Sequence, residues 1–275
     1  MSKKVKVIVT TGYGTNCEVE MAHTCRLAGA DQVDIVHLSD LLDGSVNLMD
    51  YHFLNLPGGF LDGDNLGAAQ AGANRLRHAI VADTNKTLLE CIIEFIKNGG
   101  LILGVCNGFQ LMVKTGLLPG FNNDYTSRLV SLTYNDSGRF EDRWVSLKVF
   151  PGTKCIFTKD IDSIELPIRH GEGKFIPKSP DILNRLKENG QIVFQYIDPD
   201  TGEPTQQYPL NPNGSEMAIA GICDPTGRLF GLMPHPEGFN HSTNHPLWTR
   251  KKLNEEGLGV KLFRNAIEYI QANVV

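Results

Sequence analysis

The 275-residue sequence contains no apolar run near the ~20 residues that a bilayer-spanning helix needs, so no membrane association is expected. Basic residues are scattered rather than clustered and the net charge is −5, which gives no electrostatic footprint for nucleic acid. The six cysteines include no C-x-x-C, and no Cys/His pair has zinc spacing, so no metal site is expected. Irregularly spaced cysteines in a chain of this length point to reduced thiols and a cytoplasmic location. A P-loop or comparable phosphate-binding motif is missing as well. The amino-terminal MSKKVKVIVTTGYG is positively charged but enters a strand-and-glycine pattern without an apolar core, so no signal peptide is expected. There is no internal repeat and no low-complexity segment.

What remains is ordinary for a soluble globular chain: 41% hydrophobic and 21% charged residues. The length lies near the upper limit for one hydrophobic core, so a single domain over residues 1–275 is expected. The first half alternates strands and helices. Apolar runs over Val5–Thr10, Val33–Leu38, Tyr51–Leu56 and Leu101–Val105 read as strands. Asn16 is placed to cap a helix ending near Gly29, and Thr87–Lys97 has the apolar spacing of an amphipathic helix stopped by Gly99-Gly100. From Leu129 the texture changes to short runs over Trp144–Phe150, Ile192–Ile197, Met217–Cys223 and Arg228–Met233. Asp224-Pro-Thr-Gly227 makes the last two a hairpin, and Leu262–Ile270 a closing helix. The pattern predicts an α/β fold: a mostly parallel central sheet flanked by helices, with additional antiparallel strands and a site at the strands' carboxyl ends.

Residues 101–110, LILGVCNGFQ, carry the strongest chemical signal. A strand turning sharply into a helix sets Cys106 in a strained, exposed position, with Gly104 and Gly108 making room for the turn. Free N–H groups and the positive end of the helix dipole then favour the thiolate. A buried cysteine beside a glycine-rich turn fits the same residues. Far downstream, Met233-Pro-His235-Pro-Glu237 supplies what a thiol nucleophile needs: an imidazole to take the proton and a carboxylate to orient it. Two residues apart in an extended segment, His235 and Glu237 project to one face, and the flanking prolines keep the segment out of a helix. The hairpin is expected to return them to the sheet edge beside Cys106.

Gly104-Val-Cys-Asn-Gly-Phe-Gln110 with Pro234-His-Pro-Glu237 resembles the class I glutamine amidotransferases. Gly14-Thr-Asn-Cys-Glu18, Leu56-Pro-Gly-Gly-Phe60 with Gly63-Asp64, Leu118-Pro-Gly120, Leu166-Pro-Ile-Arg-His-Gly-Glu-Gly173 and Asn211-Pro-Asn-Gly-Ser215 narrow the resemblance. They match the glutaminase components of phosphoribosylformylglycinamidine synthase, in order, from about residue 5 to 237. Two departures stand out: Gly238 where that family usually has arginine, and Leu61-Asp62 where it favours Ser-Tyr. The resemblance implies a Cys106–His235–Glu237 triad that hydrolyses glutamine and passes ammonia to a synthetase subunit, with or without a small third subunit. The synthetase would bind ATP and Mg and convert formylglycinamide ribonucleotide, so this chain is expected to need no cofactor of its own. Another class I glutaminase, a free-standing γ-glutamyl hydrolase and a catalytically silent regulatory subunit are the competing readings.

Gly58, Gly59 and Phe60 follow a strand, where backbone N–H groups can approach a ligand; Gly59 and Asn107 are the expected oxyanion donors, and a plain βα turn is the alternative. Gln110, one turn into the helix, holds the substrate by resemblance. Cys17 also begins a helix after a glycine loop, but no base lies near it in sequence and the resembling family does not use it as nucleophile. His170 and Glu172, in a glycine-flanked stretch, read as a flexible loop supporting substrate or partner contact. His23, His37, His52 and His78 have no motif context, and His241, His245 and Trp248 no assigned role.

Overall fold

The computed structural model describes residues 4–275. The single-domain reading of 1–275 thus includes three residues outside the described part. Strand β1 (Lys6–Thr11) leads through α1 (Glu18–Leu27) to β2 (Gln32–His37), and a short α2 (Leu38–Leu42) precedes β3 (Phe53–Leu56). Two helices, α3 (Gln70–His78) and α4 (Leu88–Lys97), precede β4 (Leu101–Val105), which runs into α5 (Asn107–Thr115). The second half holds β5 (Val130–Thr133), β6 (Glu141–Val149), β7 (Ser163–His170), β8 (Lys174–Pro177), α6 (Pro180–Glu188), β9 (Ile192–Tyr196), the hairpin β10 (Ile219–Cys223) and β11 (Leu229–Leu232), and the closing α7 (Val260–Asn273).

Nine strands form one sheet in the order β2-β1-β3-β4-β11-β10-β9-β6-β7, and β5 pairs with β8 in a separate antiparallel ribbon. Pairings from β2 through β1, β3 and β4 to β11 are parallel; β10, β9, β6 and β7 continue antiparallel. The expected parallel sheet with antiparallel additions is therefore present. The chain steps one way from β1 to β2 and the other way from β3 to β4, so right-handed crossovers put their helices on opposite faces. Accordingly α1 packs with α7, and α3 packs with α4 and α5. Both faces of the central strands are covered, and β3, β4 and β11 are buried throughout. One continuous core runs from Val5 in the first strand to Ile270 in the last helix.

Helix α4 starts where propensity and capping agree: the Thr87 hydroxyl accepts from the Glu90 N–H, and the Glu90 carboxylate accepts from the Thr87 N–H at 2.7 Å. Asn16 does not cap α1. Cys17 holds that position with no side-chain cap, and the Asn16 Oδ1 instead accepts from the Cys17 thiol at 3.4 Å. The hairpin forms as expected, but β11 inserts beside β4 in the middle of the sheet rather than at its lateral edge. Among the described residues no helix is long and apolar enough to cross a membrane.

Candidate active site

Three adjacent parallel strands end together, and each delivers part of one site. From β3 the chain enters Pro57-Gly58-Gly59, from β4 it enters Cys106, and from β11 it enters Met233-Pro-His235. The neighbouring loop after β1, at the point where the strand order reverses, brings Asn16 and Cys17. A cavity of about 310 Å³ lies over these ends, lined among others by Cys17, Gly59, Cys106, Gln110, Arg169 and His235. That volume is at the small end of the ~300–1,000 Å³ typical of ligand sites.

Cys106 has φ +51° and ψ −104°, a conformation a β-branched or bulky residue rarely adopts and one that strained functional turns retain. The sharp turn is possible because α5 packs against β3 at a glycine: a Cβ on Gly108 would sit 1.9 Å from the Leu56 carbonyl oxygen. The thiol is not exposed as the sequence suggested; it is 5% accessible, at the cavity floor, 3.5 Å from the Arg169 carbonyl oxygen.

His235 is extended, but Pro236–Gly238 forms a 3-10 turn instead of continuing the strand. The turn folds the Glu237 carboxylate back on the ring, with His235 Nδ1 and Glu237 Oε1 2.6 Å apart and both side chains buried (2% and 0% exposed). Burial alone would lower the imidazole pKa; the Glu237 carboxylate, with the Cys106 and Cys17 thiols, outweighs it and holds His235 well above its ordinary value. Among the described residues His235 Nε2 makes no hydrogen bond.

The Gly59 loop is fastened from the β1 side. Phe60 N–H donates to Gly14 O at 2.7 Å, and the Asn16 and Cys17 N–H groups both donate to Gly58 O at 3.3 Å. Gly59, at φ +142°, keeps its own N–H unpaired among the described residues. The Phe60 N–H is thus spent, and Phe60 contributes a 43%-exposed ring at the cavity rim instead of a donor. A contact invisible in the sequence ties the two expected donors together: the Asn107 Oδ1 accepts from Leu61 N–H at 3.0 Å. The Asn107 Nδ2 donates to Gln110 Oε1 at 3.0 Å, and Gln110 Nε2 donates to Glu172 O at 2.6 Å. Each end of the Gln110 amide keeps one more hydrogen-bonding position for a ligand.

His170 and Glu172 do not lie on a flexible loop. His170 ends β7, buried, with its Nδ1 on Asn135 Oδ1 at 3.1 Å, while Asn135 Nδ2 donates to the His170 carbonyl. Both Glu172 oxygens accept from Ala68 N–H at 3.1 Å. Asp64 shares the cavity; burial and the neighbouring Glu172 raise its pKa, and Lys114 opposes them. His245, unassigned from sequence, packs against Trp144 with the rings tilted (centroids 4.6 Å apart) and meets Glu165 at 3.1 Å, pinning the loop after Glu237 to β6 and β7. At Gly238 a Cβ would lie 2.9 Å from Pro167 Cγ and 3.5 Å from Arg169 Nη2, so a guanidinium reaches this position from β7.

The family model for CobB/CobQ-like glutamine amidotransferase domains matches residues 4–270. Subunit PurQ of phosphoribosylformylglycinamidine synthase from Methanococcus maripaludis is 44% identical over 96% of this chain and 97% of its own length. The Dehalococcoides mccartyi PurQ is also 44% identical, over 97% of this chain and 98% of its own length. The chain belongs to the PurQ family. In Drosophila melanogaster a phosphoribosylformylglycinamidine synthase is 37% identical over 86% of this chain, which spans only 17% of that longer polypeptide. Among solved structures, PurLQS from Thermotoga maritima superposes with a TM-score of 0.69 at 27% identity, covering 98% of this chain and 100% of the matched one.

The two PurQ-site histidines respond oppositely to protonation. Burial, helped by the His235 charge, pushes His170 down to about 3 from an ordinary 6.5. The unfolded chain therefore binds a proton at His170 that the folded chain refuses, and stability contributed by the neutral ring is lost as pH falls from about 6.5 toward 3. The slope is at most about 1.4 kcal/mol per pH unit for one group. A His170→Gln variant should lose less stability than the parent over that window in urea titrations. Equal slopes for the two chains would show that His170 is not held neutral.

Proposed function

We propose that this chain is the glutaminase subunit of phosphoribosylformylglycinamidine synthase, with Cys106, His235 and Glu237 as its catalytic triad. The single observation that carries the assignment is the strained thiol at the start of α5 sharing one cavity with a carboxylate-paired imidazole. His235 takes the Cys106 proton, and the thiolate attacks the side-chain carbonyl carbon of glutamine. The Gly59 and Asn107 N–H groups receive the oxyanion of the tetrahedral intermediate. As that intermediate collapses, His235 returns the proton to the departing nitrogen, which leaves as ammonia, and a glutamyl thioester remains on Cys106. Water deprotonated by His235 then attacks the thioester, and glutamate leaves. Arg169 and Asp64 line the same cavity and offer the opposite charges that a zwitterionic amino acid needs.

Ammonia is consumed elsewhere. The partner is the synthetase subunit, which takes formylglycinamide ribonucleotide to the formylglycinamidine; we assign ATP and Mg to it and no cofactor to this chain. The PurLQS neighbour and the longer Drosophila relative support that division of labour. We also infer one glutamine amidotransferase domain over 1–275 and a cytoplasmic location, supported by one continuous core and six free cysteines.

Coupled ammonia production requires that the isolated chain be nearly idle. Adding the synthetase with its nucleotide ligands should raise glutaminase turnover about 10²–10³-fold, the scale set by aligning one oxyanion donor. Full turnover by the chain alone, unchanged by the synthetase, would identify a free-standing hydrolase instead.

A further inference from the structure

The β5–β8 ribbon stands apart from the main sheet, and one of its edges is unused. Lys178 N–H donates to Leu129 O, which extends the antiparallel register Val130↔Pro177, Ser131↔Ile176, Leu132↔Phe175 by one hydrogen-bonded pair. Such pairs alternate along a ladder, so Ser131 and Thr133 turn their main-chain groups to β8, and Val130 and Leu132 turn theirs away. On the far side of β8 the matching outward position is taken, because Phe175 N–H donates to Ser215 Oγ at 2.9 Å. Among the described residues the outward N–H and C=O groups of Val130 and Leu132 have no partner. A groove of about 740 Å³ runs along this edge: every residue from 128 to 134 lines it, with Leu66, Gln70 and Lys114 among its other walls. Its charged groups are Lys114, Arg128 and Lys178 against one acid, Glu172, in a chain whose net charge is −5. None of the three cations is hydrogen-bonded or within ion-pair distance of a carboxylate among the described residues. Leu66 and Tyr134 line the groove while 75% and 68% exposed.

We propose that this groove takes an extended, acidic segment of the synthetase subunit, which adds as a third strand beside β5. An open strand edge offers main-chain groups in register, and the walls around it read alternate side chains. Carboxylates on the segment meet the three unpaired cations, and its apolar side chains meet Leu66 and Tyr134. A small anion would use the cations and leave the Val130 and Leu132 main chain in water. A second copy adding edge to edge about a two-fold axis would bring the same cations together, which is unfavourable. This docking rests on the glutaminase-subunit reading above, which supplies the occupant. Glu172 joins the groove to the catalytic cavity, because it lines both. Its carboxylate holds Ala68 N–H at 3.1 Å, and its carbonyl accepts from Gln110 Nε2 at 2.6 Å. A strand seated beside Leu66 therefore bears on the loop that runs from Gly59 to Ala68, and ties alignment of the Gly59 donor to the arrival of the synthetase.

Amide-resolved hydrogen exchange reads the edge directly. With the full chain and the purified synthetase subunit, exchange at Val130 and Leu132 should slow by about 10-fold or more in the complex, while Ser131 and Thr133, bonded to β8, stay slow in both states. Reversing the two exposed cations together, Arg128→Glu with Lys178→Glu, should weaken synthetase binding by about 10-fold and flatten its salt dependence. Basal turnover of the isolated chain should be unchanged by that pair, and Lys97→Glu, outside the groove, should alter neither binding nor turnover. A complex that forms and activates the glutaminase while Val130 and Leu132 exchange as in the chain alone would overturn the docking and leave the glutaminase reading standing. A synthetase that neither binds nor activates the chain would sink both. Concentration-dependent slowing of the two amides in the chain alone would give the edge to a second copy instead. Unchanged affinity in the double reversal would rule out an acidic segment.

Discussion

Replacing Cys106 with alanine should lower glutamine-dependent synthesis in the complex by at least ~10⁴-fold, the scale on which loss of a covalent nucleophile acts. Synthesis from added ammonium salts should survive, because the acceptor chemistry belongs to the partner. The structure makes this a sharper test than the sequence did, since two thiols border His235 and either could in principle transfer a proton to it. Their backbone surroundings decide between them. Cys106 sits beside unpaired N–H groups at Gly59 and the start of α5, whereas the N–H groups of Asn16 and Cys17 are both committed to Gly58 O at 3.3 Å. An oxyanion on Cys17 would find both of these N–H groups already committed. A glutamine-analogue diazoketone should therefore label Cys106 alone. An adduct mapped to Cys17, or glutamine-dependent synthesis retained by Cys106→Ala, would reverse the assignment.

The triad and the parallel half of the sheet were legible because their signals are local. Apolar runs bounded by glycines mark β1 and β4, and a capping box with apolar spacing marks α4. Helix α3 escaped notice because QAGANRLRH is mostly polar and buries little beyond Gly72, Ala73 and Leu76. Strand β7 was hidden by Pro167, which an edge strand tolerates, and by glycines around His170 that suggest mobility. Asn135 removes that mobility, and its bonds to His170 and to Gly173 N–H span the chain in a way no short motif encodes.

The same limit explains Cys17. Its cluster with His235 and Glu237 is assembled by strand order alone: β1 and β11 are separated by two strands, but the loop after β1 leans over the end of β3 and reaches His235 across Gly58.

Exchanging Glu237 for glutamine should lower kcat by about 10³–10⁴-fold with little change in KM, because the carboxylate acts on the imidazolium that forms as the thiol is deprotonated. The amide can still accept from His235 Nδ1, so the geometry persists while the charge does not. A second consequence follows from linkage. The folded-state pKa of His235 is raised, so its contribution to stability is present below the unfolded value and is lost as pH rises through the raised one. Without the carboxylate that elevation collapses, and the variant should be destabilised more at mildly acidic than at alkaline pH in denaturant titrations. A merely structural Glu237 would give equal losses at both. Full activity in Glu237→Gln would reduce the triad to a Cys106–His235 dyad, and Glu172 could not substitute as the orienting acid, since Ala68 N–H already binds both its oxygens.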